Sequence, residues 1–203
     1  MTRASAPPRL RHRLREETVS AILEAAEHEF ASDGLHAARM ERIAARAGVA
    51  VGTLYNHFAD REALVLALAR LRREGLLARV DAALSPVSSG PVETQLRAYL
   101  AAVVEHARAH GRFLAALVQA GEGPARARPP APLLDELTAR VQAIIGRGVA
   151  SGELRRDEAD VFALAFVGMV RLVLTRAIER DAFPAFAREG EALLDLFLRG
   201  ARR

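Results

Sequence analysis

At 203 residues the chain is long enough to bury a core, as one extended domain or two small ones. Apolar residues make up 51% and aromatics only 5%, which favours helices packed on helices over a sheet. The absence of cysteine excludes a disulfide scaffold, a zinc finger and a thiol nucleophile. No apolar run follows the N-terminus, so no signal peptide is expected there. The greasiest stretch, 161–170, is cut by Arg171 short of the ~20 residues a membrane span needs. These features predict a cytoplasmic protein with no membrane partner. Net charge is +4, and every basic residue is arginine. Arg3, Arg9, Arg11, Arg13 and Arg15 form an acid-free run. It reads as a basic, disordered arm over 1–14 that suits phosphates, or equally as a solvated tail.

In chain order, Val19, Ile22, Leu23, Ala26 and Phe30 recur at helical spacing and predict a helix over 16–30, with Gly34 as its stop. Two short helices follow at 40–47 and 51–58, separated by Gly48. Asp60 is a good N-cap for a long helix over 60–84 that carries Leu64, Leu68 and Leu71. A segment rich in Ser, Pro and Gly at 85–91 ends it. Helices are then expected at 92–109 and 113–119, broken by Gly111, and at 133–150, 157–180 and 184–198. The proline-rich stretch 121–132 reads as a mobile loop. No strand pattern competes, so the expected fold is all-α with about nine helices.

The most informative stretch is 39–58, two short helices joined by a tight turn. Ala44 is small where the helices must approach, and Gly48 supplies the turn's backbone freedom. Ile43, Val49, Leu54 and Phe58 are placed to lock the second helix onto the first, leaving Val51, Gly52, Thr53, Tyr55, Asn56 and His57 facing mainly outward. A helix face with Thr, Tyr, Asn and His but no acid suits a DNA groove, since each can hydrogen-bond a phosphate or a base edge.

The run Ile43-Ala44, Ala47-Gly48-Val49, Gly52-Thr53-Leu54-Tyr55, Phe58 and Arg61-Glu62-Ala63-Leu64 resembles the signature of the tetracycline-repressor (TetR) family. The resemblance spans about 16–71. It implies a three-helix, helix-turn-helix DNA-binding domain at 15–75 and a ligand-binding, dimerising body at 76–203. It also implies that 51–58 enters the major groove of duplex DNA from each subunit of a homodimer on an inverted-repeat operator. Tyr55 matches a phosphate-contacting tyrosine, Thr53 a base or phosphate contact, and Gly52 a close approach of backbone to DNA. Arg61 stands where a lysine is commoner and is expected to reach a phosphate. Departures from the pattern are Ala38 and Ala50 where Thr or Ser usually caps, and Val51 in place of a lysine; Arg39 and the arginine-rich arm are expected to compensate. By the same resemblance, a small-molecule effector shifts the helix 60–84 and releases a repressor from its operator.

Beyond residue 92 the signal weakens. The helix 157–180 is apolar nearly all round, which demands burial on every side. Phe166 and Val170, with Leu193, Leu194 and Phe197 of the last helix, are the expected dimer interface. Tyr99, Val103, His106, Phe113 and Leu117 on one side, with Phe162, Phe166 and Met169 on the other, are the candidates for a mainly apolar ligand pocket. His106 and His110 stand four apart, but no acid lies between them and no third ligand is evident, so no metal is expected. No cofactor is implied. With no phosphate loop, nucleophile elbow or metal cluster, the chain does not read as an enzyme. A DNA-binding regulator controlled by a partner protein instead of a ligand would share every N-terminal feature.

Overall fold

A computed structural model describes residues 8–119, 132–155, 159–180 and 182–201. The regular elements among them are α1 (Pro8–Ala37), α2 (Met40–Arg46), α3 (Val51–His57), α4 (Arg61–Leu84), a 3-10 turn (Ser85–Val87), α5 (Val92–Gln119), α6 (Pro132–Ser151), α7 (Ala159–Glu179) and α8 (Phe183–Ala201). The fold is all-helical, with eight α-helices where about nine were expected. Gly111 does not divide α5, because one interior glycine costs only about 1 kcal/mol. Its neighbours Phe113 and Ala116 are buried and hold the helix together. The N-terminal arm is also corrected. From Pro8 onward it is helix, continuous with α1, since proline is at home at a first helical position and arginine favours helix. Residues 1–7, and the expected loop at 121–132 as far as residue 131, lie outside the described residues.

The chain divides into two compact units, 1–71 with 116–126 and 72–115 with 127–203. In the first, Ile22, Ala26 and Phe30 of α1 are fully buried, together with Ile43, Leu54 and Leu64 from α2, α3 and α4. The α2–α3 turn is fixed by backbone chemistry. Gly48 sits at φ 69. Its N–H donates to the Ala45 carbonyl at 3.2 Å, and the Val49 N–H to the Ala44 carbonyl at 3.0 Å. This is the Schellman pattern, which needs a left-handed residue at this position. Asp60 caps α4 as expected, accepting from the Ala63 N–H at 2.7 Å. The caps of the two short helices are Arg39, one residue later than the expected Ala38, and Ala50; neither provides a side-chain hydrogen bond.

A buried ion pair ties α1 to α2. Glu29 is 1% exposed. Its Oε1 accepts from Arg46 Nε at 2.7 Å. Its Oε2 lies 2.9 Å from Arg42 Nη2, an ion pair whose angle is too poor for a hydrogen bond. Arg42 also reaches Asp33.

In the second unit, Leu96, Tyr99, Val141, Ile144, Phe166 and Leu194 centre the core. Gly148 lets α6 pass the start of α5, where a first side-chain carbon would stand 2.3 Å from Val92 Cγ2. Arg140 forks onto both oxygens of Asp81 at 2.6 Å. That hydrogen bonding holds the Asp81 carboxyl below its usual range. Gln95 is buried with both ends bonded, donating to the Gly90 carbonyl at 2.7 Å and accepting from Arg147 at 2.6 Å. By length and composition alone, residues 161–179 of α7 could cross a membrane, a longer apolar stretch than 161–170. Arg171 does not end it, because leucine and valine resume beyond. In the body α7 packs against α6 and α8, which is the other use of so apolar a helix.

Two outcomes are expected. Glu29→Ala should lower stability in urea by about 2 kcal/mol, because it leaves two arginines gathered around nothing. A loss under about 0.5 kcal/mol would make the cluster an ordinary surface pair. His106 is 4% exposed, and burial, then His110, Arg79 and Arg72, push its pKa down to about 4. The folded protein therefore resists a proton that the unfolded chain accepts near pH 6.5. Stability should fall as pH drops from about 6.5 toward 4, and His106→Leu should flatten that fall in a urea series across pH.

Candidate nucleic-acid interface

Helix α3 turns Leu54 inward, and Phe58 just beyond its end is buried. That inner pair fixes the outer face. Gly52, Tyr55 and Asn56 are exposed, and Val51, Thr53 and His57 are half-buried. All six were expected to face outward, and none is buried. The helix carries no acid.

Arg39, Tyr55 and Arg61 line one open cleft of about 580 Å³ together with His36, Glu41 and Asp60. Of its two carboxylates, Asp60 is engaged in capping α4. Arg61 Nη1 donates to the His36 carbonyl at 2.6 Å. The guanidinium is thus anchored to the end of α1 with other N–H groups still available. The His36 anchor was not foreseen, and nothing in residue spacing points to it. The Glu29 cluster was also missed, although a signal existed. Glu29 falls seven residues after Ile22 and three after Ala26, on the apolar stripe of α1.

The expected ligand residues are only partly brought together. Tyr99, Val103 and Phe166 belong to the core of the second unit, with Phe162 and Met169 packed against it. Tyr99 and Phe166 have ring centroids 6.0 Å apart. His106 and Phe113 are buried in the same unit, whereas Leu117 falls in the other. No group of three or more potential metal ligands occurs among the described residues. Of the expected interface residues, Phe166, Val170, Leu193, Leu194 and Phe197 are all buried in the chain's own core. The large apolar side chains left on α7 and α8 are Val161, Leu164, Leu172 and Leu196.

Residues 22–68 match the family model for bacterial regulatory proteins, tetR family. The HTH-type transcriptional regulator UidR of Escherichia coli K12 is 40% identical over 62 residues, which is 30% of this chain and 32% of UidR. The chain thus matches about a third of the length of that relative. Solved structures are similar across nearly the whole chain. A transcriptional regulator from Cytophaga hutchinsonii superposes with a TM-score of 0.75 at 21% identity, covering 91% of this chain and 98% of that one. The TetR-family regulator PfmR from Thermus thermophilus gives 0.70 at 24% identity, with 90% and 99% covered. The regulator FadR from Bacillus subtilis, solved with stearoyl-CoA, gives 0.72 at 19% identity, with 89% and 98% covered. These structures establish the fold, and residues 22–68 carry the family's own pattern. Over residues 22–68 the chain is thus similar to the tetR family of bacterial regulatory proteins, and over nearly its whole length it shares the fold of the solved regulators.

Proposed function

We propose that the chain is a sequence-specific, DNA-binding transcriptional regulator of the cytoplasm. It acts as a homodimeric repressor on an inverted-repeat operator and is released by a small, largely apolar ligand. One observation carries the reading: the acid-free outer face of α3, with Thr53, Tyr55, Asn56 and His57, stands beside a cleft lined by Arg39 and Arg61 within the family segment. Arginines and the tyrosine hydroxyl suit phosphates, which position a protein on the duplex. Asn56 and Thr53 suit base edges, which specify sequence.

The dimer reading rests on α7. Val161, Leu164, Ala165, Gly168 and Leu172 are exposed at helical spacing and make one apolar stripe. A two-fold related copy would bury that stripe against its equivalent. The ligand reading rests on the aromatic and aliphatic side chains around Tyr99 and Phe166, and on a similar fold that holds stearoyl-CoA. A ligand that binds the non-DNA state ~100-fold more tightly supplies about 2.7 kcal/mol of coupling.

Purified protein should enrich one motif from random duplex DNA; failure to enrich any, with and without candidate effectors, removes the reading. Tyr55→Ala should weaken binding to every sequence alike, whereas Asn56→Ala should relax preference at one base position by about 1–3 kcal/mol. Leu164→Arg with Leu172→Arg should give a monomer by sedimentation and lose tight operator binding. A wild-type chain that is monomeric at micromolar concentration would contradict the dimer.

A further inference from the structure

On one face of α5, Tyr99 and His106 have no hydrogen bond among the described residues, and on one face of α4 the same holds for Arg79. Tyr99, Val103, His106 and His110 follow one another along a single face of α5. Of the buried polar side chains, Gln95 is hydrogen-bonded at both ends, and Glu29 is held by one hydrogen bond from Arg46 and an ion pair with Arg42. His106 is as deeply buried, yet among the described residues its only contact of this kind is ring to ring with His110, at 4.7 Å between centroids. The Tyr99 hydroxyl, two turns earlier, likewise has no hydrogen bond among the described residues, and Tyr99 is 1% exposed.

Gly75 of α4 lies against the imidazole. A first side-chain carbon there would stand 3.9 Å from His106 Cε1 and within 4 Å of nothing else. Gly75 is itself exposed, so α4 places no side chain of its own over that buried imidazole edge, and this spot is taken below as the Gly75 opening. Arg72 and Arg79 stand three residues before Gly75 and four after it, on the same face of α4 and one turn to either side. Arg72 is already engaged by another partner. Arg79 is exposed and has no ion pair or hydrogen bond among the described residues. Both cations help keep His106 uncharged, after burial and His110. The same charges repel a metal cation and attract an anion.

The geometry points to one chemical class of ligand: a largely apolar molecule ending in a single carboxylate, seated at the Gly75 opening and held by His106 and Arg79. This rests on the ligand reading above and narrows it. One neutral imidazole N–H and one uncommitted guanidinium match a single negative charge, whereas the second charge of a phosphate would go unanswered. From His106 the α5 face runs about 10 Å to Tyr99, at 1.5 Å per residue. The apolar side chains around Tyr99 and Phe166 lie at that end.

The test compares decanoate, decanol and decylamine as probes on the full-length protein, by calorimetric titration and melting temperature. Decanoate should bind about tenfold to a hundredfold more tightly than decanol, as expected for charge-assisted hydrogen bonds, and decylamine more weakly than either. Arg79→Gln and His106→Gln should bring decanoate down to the level of decanol and leave decanol itself within about twofold. Arg79 is on the surface, so its variant remains informative if His106→Gln fails to fold. Gly75→Leu should close the opening and abolish binding of both. Equal affinity for decanoate and decanol, no binding of either, or a carboxylate preference that survives Arg79→Gln each overturns the inference. Selection from random DNA run alongside separates the two readings. A protein that selects a motif but shows no carboxylate preference loses this inference alone. One that prefers the carboxylate but selects no DNA keeps it and loses the regulator reading.

Discussion

The geometry of the N-terminal unit hangs on one buried carboxylate. Glu29 sits among apolar side chains of α1, where an unpaired charge is not tolerated, and two arginines from α2 come to it. Arg42 and Arg46 are four apart, so they rise from one face of a helix only seven residues long. Both must point at the same carboxylate, which leaves α2 little freedom to roll or slide on α1. Helix α3 packs in turn on α2 through Leu54 and the Gly48 turn. Whatever α3 presents outward is therefore aimed by Glu29, although Glu29 has no place in the candidate interface itself.

Much of this was legible in the sequence, and for identifiable reasons. Gly48 and Asp60 act locally through backbone conformation and capping, and the structure realises both as expected. The inner and outer faces of α3 follow from the spacing of Leu54 and Phe58 alone. What was not legible depends on partners distant in sequence. Periodicity placed Glu29 on a buried stripe but cannot say that Arg42 and Arg46 answer it. The same limit bears on the interface residues. An all-round apolar helix such as α7 has to bury most of its surface, yet spacing does not tell which side meets its own chain. Phe166 and Val170 went inward, and Leu164 and Leu172 were left out. Gly111 misled in the opposite way, since a residue with a weak intrinsic penalty was given the weight of a break.

The body shows two ways of handling polarity inside a helical core. Gln95 is locked by the Gly90 carbonyl and Arg147, and this fastens the start of α5 to α6. His106 and Tyr99 are buried without such locks. Those two side chains are the ones on which the carboxylate proposal rests.

Helix α3 has seven residues, no side-chain cap at Ala50, and one fully buried residue, Leu54. Two turns of that kind do not persist on their own in water. Its order is borrowed from what Leu54, Phe58 and the Gly48 turn hold it to, and short segments ordered in this way are among those that open locally before a whole fold does. Any duplex gripped by this face must first quiet those openings, an entropic toll levied on right and wrong sequences alike. Discrimination between sequences is unchanged by such a toll, but the dwell time on each wrong one is shortened. For the DNA-binding reading proposed above, a loosely held helix of this kind quickens the search in a genome where wrong sites vastly outnumber right ones.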